Sequence, residues 1–206
     1  MRKTALFATL LCMFLFATMA FAQQGDVALG FGTMMSPSAA QCNGSSGCPE
    51  KGGVYPSVSA DVVFHNRLGF AYEVTWRGGQ GAYGGSGGFP YRPIINDFNL
   101  VFQPRLGKKI GLDLMGGVGF QDTRLYSGNY TCTFVSCTNY TTSNHFVTTV
   151  GGGVRYYIWR HVFVRPEVKY YNVLNNVQNV SLGNFGFSSS SLVRVGGSLG
   201  YTIGPE

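Results

Sequence analysis

The segment that decides the fold is Lys109–Gln121, with the sequence KIGLDLMGGVGFQ. Apolar side chains alternate along it with small or polar ones. The apolar set is Ile110, Leu112, Leu114, Val118 and Phe120, and the intervening set is Gly111, Asp113, Met115, Gly117, Gly119 and Gln121. This period of two is the pattern of a β-strand with one apolar face. It recurs about eight times along the chain, in segments of the roughly ten residues that a tilted strand needs to cross a membrane.

The recurring segments predict eight strands. They are Asp26–Met34, Val54–Phe64, Leu68–Arg77, Ile94–Gln103, Lys109–Gln121, Phe146–Ile158, Val162–Tyr171 and Leu192–Ile203. Three prolines, Pro56, Pro93 and Pro166, lie in or beside these segments. Because proline cannot donate a ladder hydrogen bond, we expect bulges or strand ends to accommodate them.

The connections between the predicted strands alternate strictly between long and short. The short turns are His65–Arg67, Pro104–Lys108 and Trp159–His161, and the long loops are Met35–Gly53, Gly78–Arg92, Asp122–His145 and Asn172–Ser191. Outer-membrane barrels have short periplasmic turns and longer extracellular loops. We therefore predict an all-β fold, an eight-stranded antiparallel up-and-down transmembrane β-barrel with short periplasmic turns and four long extracellular loops.

The N-terminus has the three parts of a secretory signal peptide. Arg2 and Lys3 precede an apolar run from Ala5 to about Phe16, and Ala20-Phe21-Ala22 is a small-x-small cleavage site. We expect residues 1–22 to be removed and residues 23–206 to form one barrel domain. A retained membrane anchor is the alternative interpretation.

Composition agrees with a lipid-facing protein. Charged residues make up 12% of the chain, and glycine is abundant with 30 residues. A soluble domain this poor in charge would have few groups to cover its surface. The formal net charge is +6, but the basic residues are scattered singly and form no nucleic-acid motif. We expect no nucleic-acid partner, and contacts with outer-membrane lipid and lipopolysaccharide are plausible for such a surface.

Four cysteines remain after the predicted loss of Cys12 with the signal peptide. Four cysteines allow three pairings. The two local pairs, Cys42–Cys48 and Cys132–Cys137, are favoured because each lies within one polar loop. An oxidising periplasm would form both disulfides. Neither spacing is that of a zinc site, and we predict no metal and no cofactor.

Charged residues collect on the inward face of the predicted strands. They are Asp61, Glu73, Arg77, Asp97, Asp113, Arg155, Arg165, Glu167, Lys169 and Arg194. Buried charge must be paired or hydrated, and acids and bases are nearly balanced here, so we expect ion pairs across the barrel. An eight-stranded barrel is just wide enough for its own side chains to fill. The expected result is a polar core that plugs the barrel, with a narrow gated path as the alternative.

No set of residues has the spacing of a catalytic site. His145, beside Ser143 and Asn144, is the only histidine on the predicted outer side. Nucleophilic catalysis needs a base, a nucleophile and an orienting group within hydrogen-bond reach, and nothing singles out such a set. We interpret His145 as a solvated loop residue and predict that the chain is not an enzyme. A lipid-modifying enzyme remains a further alternative.

One hairpin carries a family resemblance. Gly151-Gly152-Gly153-Val154-Arg155-Tyr156-Tyr157, a short turn and Val164-Arg165-Pro166-Glu167-Val168-Lys169-Tyr170-Tyr171 resemble bacterial outer-membrane β-barrel domain proteins, related in form to the outer membrane protein A transmembrane domain. The resemblance implies a Gram-negative outer-membrane location. It also implies that the last strand carries the signal read by the barrel-assembly machinery, at Arg194, Gly196, Leu199 and Tyr201. Such chains usually end on an aromatic residue, whereas this one continues through Ile203-Gly204-Pro205-Glu206.

We accordingly expect a structural or surface-interaction protein whose loops are exposed outside the cell and could bind an extracellular ligand. One alternative is a narrow, porin-like channel for ions or small solutes. Another is a secreted soluble β-barrel or sandwich that binds a ligand, with the apolar faces as its core. Fold-level analogy supports the first expectation most directly.

Overall fold

The computed structural model describes residues 24–35, 52–64, 67–82, 90–132, 137–174, 177–180, 183–186 and 191–204. Eight long strands dominate these ranges. They are β1 Gln24–Met35, β2 Tyr55–Val63, β3 Leu68–Trp76, β4 Pro90–Phe102, β5 Ile110–Cys132, β6 Cys137–Tyr157, β7 Val162–Leu174 and β8 Ser191–Ile203. No helix within the described ranges is long and apolar enough to cross a membrane. The predicted signal peptide, Cys42 and Cys48 lie outside the described residues.

Each long strand pairs antiparallel with its neighbour along the chain. The sheet closes where β1 meets β8, with a continuous register from Gly25 opposite Ile203 to Met35 opposite Val193. Closure pairs the first strand with the last, so no long strand is left as an edge. The predicted eight-stranded up-and-down barrel is confirmed.

The two faces of the barrel wall differ in polarity. Large apolar side chains point outward and are exposed, including Leu29, Phe31, Phe70, Leu100, Val150 and Leu199. The buried residues between them are mainly small, polar or charged. This arrangement is inverted relative to a soluble protein, and it is the arrangement that a barrel needs when lipid surrounds it.

The two ends of the barrel also differ. One end, called the turn end, carries the short connections between β2 and β3, between β4 and β5, and between β6 and β7. The first residue of β1 and the last residue of β8 also lie at this end. At the other, called the loop end, lie the connections that the sequence predicts to be long. Of these, 78–92 contains a two-residue strand, Gly81–Ala82, that pairs with Pro90–Tyr91. Two further short strands, Val177–Val180 and Gly183–Gly186, pair in the last loop.

The predicted loop Asp122–His145 is wrong, because most of it is strand. β5 continues to Cys132 and β6 begins at Cys137. Pairing of β5 with β4 ends at Leu125, and pairing of β6 with β7 ends at Phe146. Residues 126–132 and 137–140 therefore pair only with each other and form a two-stranded ribbon that extends beyond the barrel wall, by about 20 Å at the usual rise of a strand. The sequence of this segment is rich in Thr, Asn and Tyr and lacks the apolar alternation that revealed the other strands.

Pro166 lies within β7 and is accommodated by a local gap in the ladder. The pairing of β6 with β7 runs to Gly153 opposite Glu167 and resumes at Tyr156 opposite Val164. On the other side of β7, Pro166 remains in register opposite Gly197 of β8. The missing donor thus interrupts only one of the two ladders of β7, which is how a proline fits a barrel that has no edge strand.

Candidate functional site

A buried guanidinium group joins four strands in the half of the barrel interior nearer the turn end. Arg155 on β6 donates from Nε to Asp113 Oδ2 at 2.7 Å and from Nη2 to Asp61 Oδ2 at 2.9 Å. Its Nη1 donates to Asp26 Oδ2. These carboxylates lie on β5, β2 and β1, so one side chain bridges the lumen from wall to wall. Arg155 is only 2% exposed.

Arg165 on β7 reinforces the same carboxylates. Its Nη1 lies 3.2 Å from Asp61 Oδ2 and 3.3 Å from Asp113 Oδ2, and its Nη2 donates to Ser59 Oγ at 3.2 Å. Its Nε forms an ion pair at 3.0 Å with Glu167 Oε2. Arg155, Arg165, Asp26, Asp61 and Asp113 are called the Arg155 cluster below. Glu167 links it to a second group nearer the loop end.

The second group is centred on Glu73 of β3. Lys169 Nζ lies 2.8 Å from Glu73 Oε2, and Arg194 Nη1 lies 2.7 Å from Glu73 Oε1. Lys169 also approaches Asp97 Oδ2 at 3.2 Å, and Arg194 approaches Glu167 Oε1 at 2.8 Å. These five residues are called the Arg194 cluster. They connect β7 and β8 to β3 and β4 on the opposite wall.

Neutral side chains add hydrogen bonds to these charged groups. Thr75 Oγ1 donates to Glu73 Oε1 at 2.9 Å, and Asn99 Nδ2 donates to Asp97 Oδ2 at 2.9 Å. Ser57 Oγ accepts from Arg194 Nη2 at 2.7 Å. Buried ions are tolerated only when they are paired and hydrogen-bonded, and these serines, threonines and asparagines supply the additional bonds.

The two clusters together are called the charged core, and nine of its ten residues are among those that the sequence predicts to face inward. Those nine were chosen because they share the inward parity of their strands. The exception is Asp26, which carries the same parity as Ala28 and Gly30 at the start of β1. Its position at the end of the alternating segment concealed it, although the parity rule would have included it. With Asp26, the charged core holds six carboxylates and four cations.

The charged core is covered on both sides along the barrel axis. Toward the turn end, the Phe163 ring lies under Arg155, with the guanidinium carbon 4.5 Å from the ring centroid. Toward the loop end lies a cluster of buried, mostly apolar side chains, called the apolar layer: Met34, Tyr55, Ile95, Val147, Tyr171, Val173 and Leu192. The inward residues of the sequence predict a polar interior, and this layer differs from that prediction. It further separates the ion pairs from the outside.

Other predicted residues lie away from the charged core. Arg77 follows β3 at the rim of the loop end, where it donates to the Tyr91 hydroxyl and lies 5.3 Å over the Tyr91 ring. His145 is buried within β6, opposite Gln121 of β5, so its interpretation as a solvated loop residue is wrong. Of the predicted assembly-signal residues, Arg194 lies in the core, Gly196 faces Gly32 of β1, and Leu199 and Tyr201 are exposed.

The ribbon is held by contacts between its two strands. The Cys132–Cys137 disulfide closes its tip. The Tyr126 and Tyr140 rings meet edge to face with centroids 5.8 Å apart, and the Arg124 guanidinium lies 4.9 Å over the Tyr140 ring. Between Tyr126 and Thr131 the register shifts, which marks a bulge in β5. An isolated two-stranded hairpin is marginally stable in water, so these contacts supply the order that the barrel wall does not.

We expect the double substitution Cys132→Ser/Cys137→Ser to loosen the ribbon without unfolding the barrel. Loss of this short cross-link should lower the free energy of local opening by about 2 kcal/mol. Hydrogen–deuterium exchange of peptides covering 126–145 should become faster, while exchange of peptides from β1 and β8 stays as in the wild type. Unchanged exchange in the ribbon would show that the disulfide contributes nothing to its order.

A closed barrel with an apolar outer wall, a charged interior and short turns at one end defines a class, the outer-membrane β-barrel protein. The family comparison agrees: residues 8–190 match the model of the outer membrane protein beta-barrel domain. The chain belongs to this family, and it is a protein of the Gram-negative outer membrane. No match was found among curated protein sequences.

Solved structures share the fold at low sequence identity. Neisserial surface protein A is 11% identical with a TM-score of 0.58, and the match covers 86% of this chain and 95% of that protein. Ail of Yersinia pestis, in complex with the heparin analogue sucrose octasulfate, is 10% identical with a TM-score of 0.53 over 87% and 98%. OprG from Pseudomonas aeruginosa is 12% identical with a TM-score of 0.52 over 89% and 97%.

Proposed function

We propose that this barrel is a non-conducting scaffold that presents the ribbon at the cell surface as a contact site. The observation that supports this proposal is the contrast between the barrel interior and the ribbon. Side chains linked by ion pairs fill the interior from one wall to the other, whereas the ribbon continues beyond the wall as ordered structure. A scaffold of this kind supplies rigidity, and a projecting hairpin supplies surface for recognition.

The charged core argues for the scaffold and against a channel. Arg155 joins β6 to β1 and β2, and Arg194 joins β8 to β3, so both cross the lumen. A passing ion would have to separate these buried pairs, which is costly. The apolar layer adds a second barrier, because five of its seven side chains are hydrocarbon or thioether groups that do not replace the water around an ion.

The ribbon has the composition of a contact surface. It combines paired tyrosines with threonine and asparagine, and tyrosine is enriched where proteins touch partners. The disulfide and the Tyr126–Tyr140 contact restrict its motion before any partner arrives. Preorganisation of this kind lowers the ordering cost of binding.

The proposal is tested by attachment of whole cells that display the protein. Cells carrying the wild type should be retained on immobilised heparin and on glass better than cells without it, and Tyr126→Ser/Tyr140→Ser should remove the difference. Heparin is a suitable probe because the Ail structure holds a heparin analogue. Leu106→Ser, an exposed residue at the turn end, is the matched control and should keep the retention. Equal retention by wild type and tyrosine variant on both surfaces would contradict a contact role.

Two arginines at the base of the ribbon suit the anionic outer leaflet. Arg92 and Arg124 stand directly opposite each other on β4 and β5, on the outer face near the loop end. Like charges in this position repel, and the Asp122 carboxylate, 3.5 Å from Arg124 Nε, neutralises only one of the two, so the pair can take a further anion. We propose that lipopolysaccharide phosphates supply that anion.

We also propose that residues 1–22 are a signal peptide that is cleaved, and that the barrel-assembly machinery recognises β8. The residues it would read are Arg194, Gly196, Leu199 and Tyr201.

A further inference from the structure

The turn end carries a patch of cations that neither the scaffold nor the ribbon uses. It is formed by the β4–β5 turn, with Arg105, Lys108 and Lys109, and by the β6–β7 turn, with Trp159 and Arg160. All five residues are exposed. They and Tyr157 line a cleft of about 330 Å³ between the two turns. These five residues are called the turn-end patch.

The patch is positively charged without local compensation. No acidic residue occurs from 103 to 112 or from 156 to 166. The nearest acids along the chain, Asp113 and Glu167, are buried in the charged core and paired there. Of the other described acids, four lie in the charged core and Asp122 lies at the loop end beside Arg124. Among the described residues, the turn-end surface therefore has cations and no carboxylates, while Glu206 lies outside them.

The backbone holds the two turns together and keeps the cleft in shape. Tyr157 N donates to Lys109 O at 2.9 Å, and Leu112 N donates to Pro104 O at 2.9 Å. The Arg105 guanidinium lies 5.8 Å over the Tyr157 ring. These contacts fix one wall of the cleft, so binding would not have to order a flexible loop.

The patch lies at the boundary between lipid and water. Trp159 is 76% exposed, and Ile158 and Leu106 beside it are also exposed. Tryptophan favours the headgroup level of a membrane, and long basic side chains reach from that level toward water. A ligand here meets an aromatic, apolar rim on one side and several cations on the other. An anionic phospholipid has this combination of acyl chain, glycerol and phosphate.

We propose that the turn-end patch binds the headgroup of an anionic phospholipid of the periplasmic leaflet. The cations Arg105, Lys108, Lys109 and Arg160 contact the phosphate and any second anionic group, while Trp159 packs against the glycerol region. Basic pockets at a membrane surface recognise such headgroups by this chemistry. Bound lipid would fix the depth of the barrel in the inner half of the membrane.

The test uses the fluorescence of Trp159 in the folded protein. The chain has two tryptophans, so Trp76→Phe leaves Trp159 as the only reporter. The protein is reconstituted in phosphatidylcholine vesicles that contain either brominated phosphatidylglycerol or brominated phosphatidylcholine at equal mole fraction. Bromine quenches a nearby indole, so the ratio of quenching gives the relative affinity for the two headgroups. A preference of about fivefold for each contributing cation is expected.

Matched variants distinguish a specific lipid-binding site from a general effect of the net charge of the protein. In the Trp76→Phe background, Lys108→Gln/Arg160→Gln should reduce the preference about 25-fold, fivefold for each cation removed. Arg92→Gln/Arg124→Gln removes the same formal charge at the loop end and should leave the preference intact. Heat-dependent gel mobility verifies that each variant is folded.

Three results would overturn the proposal. The first is equal quenching by the two brominated lipids in the parent protein. The second is an equal loss of preference in the turn-end and loop-end variants, which would mean that net charge alone acts. The third is displacement of phosphatidylglycerol by soluble peptidoglycan fragments, which would assign the patch to the anionic wall polymer.

Discussion

Arg155→Ala is expected to destabilise the barrel more than any other single change in the charged core. The substitution leaves Asp26, Asp61 and Asp113 without their shared guanidinium while all three remain buried. Removing one partner of a buried ion pair typically costs 3–5 kcal/mol, and Arg165 can replace only part of the lost contacts. We therefore expect the free energy of unfolding in detergent micelles to fall by about 4 kcal/mol, measured by urea titration with tryptophan fluorescence.

Two further variants show whether uncompensated buried charge causes the loss of stability in Arg155→Ala. Arg160→Ala removes an exposed arginine from a turn and should change the free energy of unfolding by no more than about 0.5 kcal/mol. Adding Asp26→Asn and Asp113→Asn to Arg155→Met should recover part of the loss, because the unpaired anions are then removed. An Arg155→Ala protein as stable as the wild type would contradict the role of the charged core.

Gly117→Ala is expected to prevent correct pairing of β4 with β5. A Cβ atom at Gly117 would lie 1.9 Å from the carbonyl oxygen of Phe98 and 2.7 Å from Asn99 Cα. Both are backbone atoms of the partner strand, so they can move only if the ladder opens. Glycines at such positions let strands bend enough to close a small barrel. We expect the free energy of unfolding to fall by about 3 kcal/mol, at the upper end for overpacking.

The adjacent glycine provides the control. A Cβ at Gly116 would come no nearer than 3.8 Å to the Thr149 carbonyl oxygen, which is an ordinary contact. Gly116→Ala should therefore give the heat-dependent gel shift of the wild type, while Gly117→Ala should give a reduced fraction of shifted protein. Equal shifts in the two variants would show that β4 and β5 approach each other less closely than the structure indicates.

The barrel could be predicted because one physical rule governs its wall. Lipid on the outside and side chains on the inside force a period of two, and Lys109–Gln121 shows that period with Gly116 as the one gap in its apolar face. The same parity placed Arg155, Arg165, Lys169 and Arg194 inside. Where a strand is bounded by water on both faces, as in the ribbon, the parity disappears and the sequence pattern resembles a loop.

The interior layers could not be predicted from parity alone. Parity gives the side of the wall on which a residue lies, but it does not give the height along the barrel axis. Height depends on strand tilt and register, which bring Met34, Ile95 and Leu192 to one level although they are far apart in the chain. The apolar layer and the specific partners of Arg155 therefore emerged only from the three-dimensional arrangement.

The most direct test of the central claim is the electrical conductance of the purified, folded protein in a planar lipid bilayer. An interior closed by the charged core and the apolar layer predicts a current indistinguishable from that of the protein-free bilayer across a wide voltage range. Reproducible stepwise currents from the wild-type protein, folded as verified by its heat-dependent gel shift, would contradict the account and identify a conducting path through the barrel.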